Sequence, residues 1–196
     1  MACLSDLPQI ENSLLARENI FPLFSYGNEL VRKSLWALKY RGVRDIRDAF
    51  SEKLYQKISA QVPLEGSGTI ALIPIPQTKK SFRSRGYNQA ELLARALAEK
   101  YPGQFTVIDA LYRIRKTKRQ TGLAARERLK NVSNAFALQN GISLSGKTLV
   151  IVDDIITTGA TVREAKRAVG VAGPKMILIV SVAYQSLMPQ KSGATL

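Results

Sequence analysis

Leu149-Val150-Ile151-Val152-Asp153-Asp154-Ile155-Ile156-Thr157-Thr158-Gly159-Ala160-Thr161 is the stretch on which the fold turns. Its four leading apolar residues read as a buried strand, predicted over Thr148 to Val152. Two carboxylates then stand at the sheet's edge. Five small, hydroxyl-rich residues lead into a helix predicted from Thr161 to Val171 and closed by Gly173-Pro174. Backbone N–H groups and Thr hydroxyls in such a loop can surround a phosphate, and the helix N-terminus adds partial positive charge. Gly159 permits close backbone approach or a positive φ. The acids suit the hydroxyls of a sugar carrying that phosphate, or a Mg2+ beside it. An ordinary strand–loop–helix connection with an acidic cap has the same outline. Thr-Thr-Gly-Ala-Thr at this offset is what separates the two readings.

Working outward, further apolar runs predict strands at Thr69–Ile75, Phe105–Ile108, Phe136–Leu138 and Met176–Ala183. Helical periodicity appears between them. Asn28 reads as an N-cap before Leu30, Val31, Leu35 and Leu38, with Gly42 as the stop. Ile46, Phe50, Leu54 and Ile58 come next at intervals of four. Asn88 with Glu91 fits a capping box opening a helix through Tyr101. Residues 1–24 show no clear period, and Lys79–Tyr87 reads as a basic loop. Residues 112–122 read as turn-rich, residues 124–130 as one or two helical turns, and the tail after Gln185 as loose. Wholly apolar strands separated by helices imply a parallel sheet covered on both faces. Ligands of such folds bind beyond the carboxyl ends of the strands, which directs attention to the residues just after Ile75 and Val152.

Composition removes whole mechanisms. The 196 residues include no histidine and one cysteine, Cys3. A Ser-His-Asp triad, a histidine base, an internal disulfide and a self-contained zinc site are thereby excluded. Any metal must be a hard cation on carboxylates, with Mg2+ the default. No apolar run is long enough to span a membrane, and the first 24 residues lack a signal-peptide layout, so the chain reads as cytoplasmic. Lys and Arg number 29 against 15 Asp and Glu, a net charge of +14. Residues 79–130 hold 14 bases and 4 acids. That cluster is either a solvated face or a surface for polyanions: phosphorylated metabolites, pyrophosphate or nucleic acid.

The 153–161 segment resembles the phosphoribosyl pyrophosphate (PRPP) signature of type I phosphoribosyltransferases. The resemblance implies that Asp153 and Asp154 bind the ribose hydroxyls, directly or through Mg2+. It implies that Thr157, Thr158, Gly159, Ala160 and Thr161 bind the 5′-phosphate. Leu38-Lys39-Tyr40-Arg41-Gly42, Ile73-Pro74-Ile75-Pro76, Arg83-Ser84-Arg85-Gly86-Tyr87-Asn88-Gln89-Ala90, and Gln120-Thr121-Gly122-Leu123 with Arg126 to Asn131 occur in order. Together they are similar to the ComF family, phosphoribosyltransferase-like proteins linked to competence and DNA uptake, over roughly residues 20–185. Many members begin with a cysteine-rich zinc ribbon, of which Cys3 alone would remain here.

The resemblance implies an α/β protein of the type I phosphoribosyltransferase fold, with about five parallel strands flanked by helices and a small helical N-terminal hood. Residues 1–24 would be an extension and residues 25–196 the domain. Lys79, Arg83 and Arg85 would meet pyrophosphate. Arg113, Arg115 and Lys116 would belong to a flexible loop closing over PRPP, to a nucleic-acid surface, or to a solvated face. Trp36 and Tyr40 read as packing residues or as part of a hood receiving the acceptor base. The expected activity is Mg2+-dependent pentosyl transfer from PRPP to an unidentified acceptor, a glycosyltransferase of nucleotide metabolism. The other expectation is a non-catalytic PRPP sensor or scaffold acting through single-stranded DNA and competence-machinery proteins. A homodimer is compatible with either.

Overall fold

The run at 149–152 does form the centre of the sheet. The structure is a computed structural model that describes residues 4, 7–41, 44–64, 68–114 and 134–186. In chain order its elements are α1 (Ser13–Ala16), β1 (Ile20–Ser25), α2 (Glu29–Arg41), α3 (Arg44–Ser59), β2 (Ile70–Pro74), α4 (Lys79–Arg85), α5 (Gln89–Lys100), β3 (Phe105–Val107), β4 (Leu111–Arg113), β5 (Phe136–Leu138), β6 (Thr148–Ile156), α6 (Ala160–Gly170) and β7 (Met176–Tyr184). Five strands make one sheet in the order β1-β7-β6-β2-β3, with every pairing parallel. β4 and β5 form a separate antiparallel pair. This is the expected α/β architecture of five parallel strands between helices.

Both faces of the sheet are dry. Val150, Val152, Leu178, Val180 and Val182 pack with Leu35, Leu38, Phe50, Leu54, Leu93 and Leu97 of α2, α3 and α5. Leu149, Ile151 and Ile179 alternate onto the other face, against Val162, Ala165 and Val169 of α6 and Phe136 of β5. Each fully buried side chain of this size contributes roughly 1.5–3 kcal/mol. Among the described residues no helix is long and apolar enough to cross a membrane.

Three expectations are corrected. Residues 20–25 are not an aperiodic extension: β1 is the edge strand of the main sheet, with Ile20 opposite Ile179 and Phe24 opposite Ala183. The expected boundary at 24/25 therefore falls inside a strand. Lys79–Tyr87 is not a loop: its first seven residues form α4. Thr78 caps it, its hydroxyl accepting from the Ser81 N–H, and Gly86 closes it in the left-handed region at φ +83°. Finally, β6 runs past Val152 to Ile156, so the acid pair lies within the strand.

Candidate active site

The acid pair hangs over an opening in the sheet. β2 pairs with β6 as far as Pro74 opposite Val152, while β7 accompanies β6 to Ile156 opposite Tyr184. From Asp153 onward one side of β6 has no neighbouring strand among the described residues. The two acids are adjacent there, within side-chain hydrogen-bonding reach of each other. Asp154 joins Ile155 in a cavity beneath α2. Asp153 is within electrostatic reach of Arg113 at the end of β4.

Local hydrogen bonds fix both carboxylates. Asp153 Oδ1 accepts from the Asp154 N–H at 2.9 Å, and Asp154 Oδ1 accepts from the Ile155 N–H at 2.8 Å. Enclosure pushes the Asp153 carboxyl well above the usual carboxylate range, and the adjacent Asp154 pushes it the same way. Arg113 pulls it partly back. A carboxyl so held is relieved by a cation or by hydroxyl donors. Among the described residues no three His, Cys, Asp or Glu side chains converge. Two neighbouring carboxylates fit a hard cation that arrives with substrate oxygens and water, which is how Mg2+ is usually held.

Next comes the loop 157–159, whose end is set by Gly159 at φ +76°, the N-cap position of α6. Thr158 Oγ1 accepts from the Ala160 N–H at 3.3 Å. Gly159 itself brings no side chain to cap the helix, and no acid sits in the first turn of α6. The helix thus presents its positive end toward the loop. Thr157, Thr158 and Gly159 form this loop, and Ala160 and Thr161 open α6.

The loop is braced from behind by a residue that sequence reasoning misses. Arg163 Nη1 donates to the Thr158 carbonyl at 2.7 Å. Its Nη2 donates to Glu18 Oε1 at 2.9 Å, and its Nε donates to Glu18 Oε2. Lys166 Nζ donates to the Glu18 carbonyl at 2.8 Å. A Cβ built at Gly159 would sit 2.8 Å from Arg163 Nη1, so the guanidinium occupies the space a larger residue needs. The side-chain hydrogen bond from Arg163, then its charge and that of Lys166, hold Glu18 below its ordinary range against an opposing burial effect. A Gly with an Arg four residues later is the visible signal. The partner, Glu18, lies 145 residues away and leaves none.

At the end of β2, the Arg-Gly-Tyr-Asn-Gln block works as a clasp. Tyr87 Oη donates to the Leu38 carbonyl of α2 at 2.9 Å. Asn88 Nδ2 donates to the Ile75 carbonyl at 3.0 Å, while its Oδ1 accepts from the Ala90 N–H. Gln77 Nε2 donates to the Tyr87 carbonyl. These bonds tie the Pro-Ile-Pro strand end to α2 and α5. Arg83 is exposed on α4, at a cavity of about 340 Å3 that it shares with Pro76, Gln77, Phe82, Asn88 and Glu91. The side chains of Lys79 and Arg85 lie outside the described part of the structure. So do residues Arg115 and Lys116.

Arg113 is not in a loop. It ends β4, is largely buried, donates from Nε to the Pro76 carbonyl at 2.7 Å, and lies 4.6 Å from the Phe136 ring centroid. Burial lowers its pKa and the Asp153 charge raises it.

α2 forms the roof. A cavity of about 360 Å3 is lined by Tyr26, Arg32, Lys33, Leu35, Trp36, Lys39, Asp154 and Ile155. Trp36 is 52% exposed, so it is not a core packing residue; it faces the same space as Asp154. The side chain of Tyr40 lies outside the described part. A larger cavity of about 460 Å3, between α2, α3 and α5, includes neither acid.

Comparison with known proteins agrees with this geometry. Residues 83–192 match a family model described as phosphoribosyl transferase domain. The chain is 28% identical over 191 residues to Competence protein F of Haemophilus influenzae, covering 92% of this chain and 76% of that protein. It is 31% identical over 159 residues to Competence protein ComFC of Bacillus subtilis, covering 81% of this chain and 60% of that one. It is 39% identical over 93 residues to DNA utilization protein YhgH of Escherichia coli O157:H7, covering 47% of this chain and 40% of that one. The chain thus spans less than two thirds of the length of the latter two relatives. With the family model covering more than half of the chain and the sheet placing the matched segment at its central strand end, the chain belongs to the phosphoribosyl transferase domain family, in its ComF branch and with the type I fold.

Proposed function

We propose that the chain binds PRPP at the end of β6 and transfers its phosphoribosyl group to a nitrogen acceptor held under α2. The observation that carries this reading is the position of Asp154. It lines the Trp36 cavity and, near the end of β6, precedes by three residues the loop that begins at Thr157. The loop and the N-terminus of α6 hold the 5′-phosphate. Asp153 and Asp154 hold the ribose hydroxyls. Mg2+, when bound with PRPP, supplies charge neutralisation for pyrophosphate and a template for the ribose. Arg83, with Lys79 and Arg85 on the same helix, faces the leaving group.

The acceptor nitrogen's lone pair forms the bond to the anomeric carbon. The carbon–oxygen bond to pyrophosphate breaks and its electron pair leaves with pyrophosphate. A proton on the nitrogen departs to the pyrophosphate or to water. The transition state resembles an oxocarbenium ion, so the protein needs no covalent nucleophile. Positioning and charge stabilisation suffice, and the lack of histidine is no obstacle.

Calorimetric titration of PRPP with and without Mg2+ tests the pocket. Wild type should bind in a Mg2+-dependent manner, and Asp153→Asn/Asp154→Asn should not. Absence of binding by folded wild type overturns the reading. Pyrophosphate release on adding acceptors then separates an enzyme from the second reading. That reading, a PRPP-responsive module without turnover in DNA uptake, draws its support from relatives named for competence and DNA utilization.

A further inference from the structure

Where β2 and β6 part company, one side chain reaches across from outside the main sheet. The two strands stay paired as far as Pro74 opposite Val152, and a last bond runs from the Ile75 N–H to the Val152 carbonyl at 3.0 Å. Among the described residues no backbone hydrogen bond joins the two segments beyond it. Past that point Pro76 leads into α4 and shares a cavity with Arg83. On the other side Asp153 and Asp154 lead into the 157–159 loop. A ligand held by both segments depends on their separation, which the sheet itself no longer sets.

Arg113 stands at this fork. It arrives on β4, a strand of the antiparallel ribbon and not of the main sheet. Its Nε donates to the Pro76 carbonyl at 2.7 Å. Its guanidinium carbon lies 4.6 Å from the ring centroid of Phe136, the residue directly opposite it in the ribbon, and that ring is buried. A hydrogen bond at one end and a ring against its face define the plane of the guanidinium. Its charge acts on Asp153, so the group is engaged with both lips of the fork.

Burying a guanidinium is costly, and here desolvation opposes its charge more than Asp153 supports it. An apolar side chain of similar length would fill the same place without that cost. Packing therefore does not account for an arginine at this position, whereas the link between Pro76 and Asp153 does.

Resting on the phosphoribosyl-transfer reading, we infer that Arg113 is a positioning residue: it bridges the diverging ends of β2 and β6 and so sets the spacing between the pyrophosphate half and the ribose half of the PRPP site. It acts through Pro76 and Asp153 and not by contact with the ligand. A ligand that spans two half-sites gains from their correct spacing, while a ligand that fills one half does not. PRPP is the first kind. Ribose 5-phosphate and inorganic pyrophosphate are the second.

The experiment measures all three by calorimetry with Mg2+ on wild type, Arg113→Met and Arg113→Lys, reading the two fragments as competitors of PRPP. Arg113→Met should lose about tenfold or more in PRPP affinity, while each fragment stays within about twofold of wild type. Lysine keeps a positive charge near Asp153 but has no Nε–H for Pro76 and no planar face for Phe136. Arg113→Lys should therefore bind PRPP about as weakly as Arg113→Met. Thermal midpoints show that the variants are folded. Should Arg113→Met unfold, Arg113→Lys carries the same comparison of spanning ligand and fragments.

A fragment whose affinity falls together with that of PRPP overturns the inference, because Arg113 would then serve that half alone. Full recovery by Arg113→Lys overturns it too, leaving charge on Asp153 as the whole role. Unchanged PRPP affinity in both variants reduces Arg113 to packing. PRPP binding to wild type with competition from neither fragment also removes the inference, since the site would not divide into halves. Each of these results leaves the transferase reading standing. Failure of folded wild type to bind PRPP is the separate result that removes that reading, and this inference with it.

Discussion

Replacing Arg163 by Met tests whether the N-terminal segment acts on the phosphate loop. The substitution removes the two bonds to the Glu18 carboxylate and the bond to the Thr158 carbonyl, while keeping the aliphatic stem. The Arg163 and Glu18 side chains are 39% and 42% exposed, so solvent screens the pair heavily. An ion pair of that exposure contributes ~0–1 kcal/mol. The charge-assisted bond to a carbonyl adds about 1 kcal/mol once its exposure is allowed for. The expected loss is ~1–2 kcal/mol, or roughly 3–6 °C in Tm for a chain of this size. With Thr158 and Gly159 unbraced, PRPP affinity should fall about tenfold, since the loop must be ordered by the ligand itself.

Glu18→Gln keeps one side-chain acceptor for Arg163 and removes the charge, and should fall between wild type and Arg163→Met. Arg163→Lys should not rescue, because a point charge cannot reach both Glu18 oxygens and the Thr158 carbonyl. Thermal denaturation and PRPP calorimetry at pH ~7.5 give both quantities, a pH at which every carboxylate of ordinary pKa is ionised. The pH dependence has a definite sign. Glu18 is held below its ordinary value of 4.5 by Arg163. Its contribution is complete above that value and is lost as pH falls through the lowered one, so the Tm gap between wild type and Glu18→Gln should close at acid pH. A Tm loss with PRPP affinity unchanged within about twofold would refute the reasoning and reduce the pair to a staple between segments.

Gly159→Ala should lower stability by about 1–2 kcal/mol, because an L-residue at φ +76° is strained and its Cβ meets the Arg163 guanidinium. Combined with Arg163→Met it should cost less than the sum of the two singles, which a double-mutant cycle in denaturant will read. Tyr87→Phe removes the hydroxyl that serves one of the last four carbonyls of α2, and should cost ~0.5–1.5 kcal/mol by chemical denaturation. Arg113→Met should weaken PRPP binding more than it lowers Tm, if the guanidinium near Asp153 positions that acid; an equal effect on both in calorimetry and melting would assign it to packing.

Periodicity makes most of the sheet legible. β2, β6 and β7 are apolar where they are buried, Thr148 and Ser181 apart, and α2, α3 and α5 carry their apolar residues at helical spacing. β1 is not legible, because Ile-Phe-Pro-Leu-Phe-Ser has no alternation and Pro22 argues against a strand; an edge position tolerates it. α4 is hidden by charge: Lys-Lys-Ser-Phe-Arg-Ser-Arg shows no apolar stripe, although Thr78 and Gly86 are cap signals at either end. The strand's extension to Ile156 depends on β7 continuing where β2 stops, which is a property of two distant segments. The loop's residues can be read from 157–161 alone. Its brace cannot, since Glu18 and Arg163 meet only after the first and last strands have paired.

That pairing has a consequence for synthesis. Among the described strands β1 has its one main-sheet neighbour in β7, about 160 residues later in the chain. At ribosomal speeds of about 5–20 residues per second, the first strand waits roughly 8–30 s for its partner. During that interval the aromatic-rich segment Ile20–Ser25 has no place in the sheet, and Glu18 has no Arg163 to hold. A nascent chain broken off before β7 can therefore fold helices around a partial sheet but cannot finish the brace behind the phosphate loop. On the proposed reading, the ability to grip a 5′-phosphate becomes the last property the polypeptide acquires, and truncated products should be inert toward PRPP while still exposing a free strand edge to chaperones.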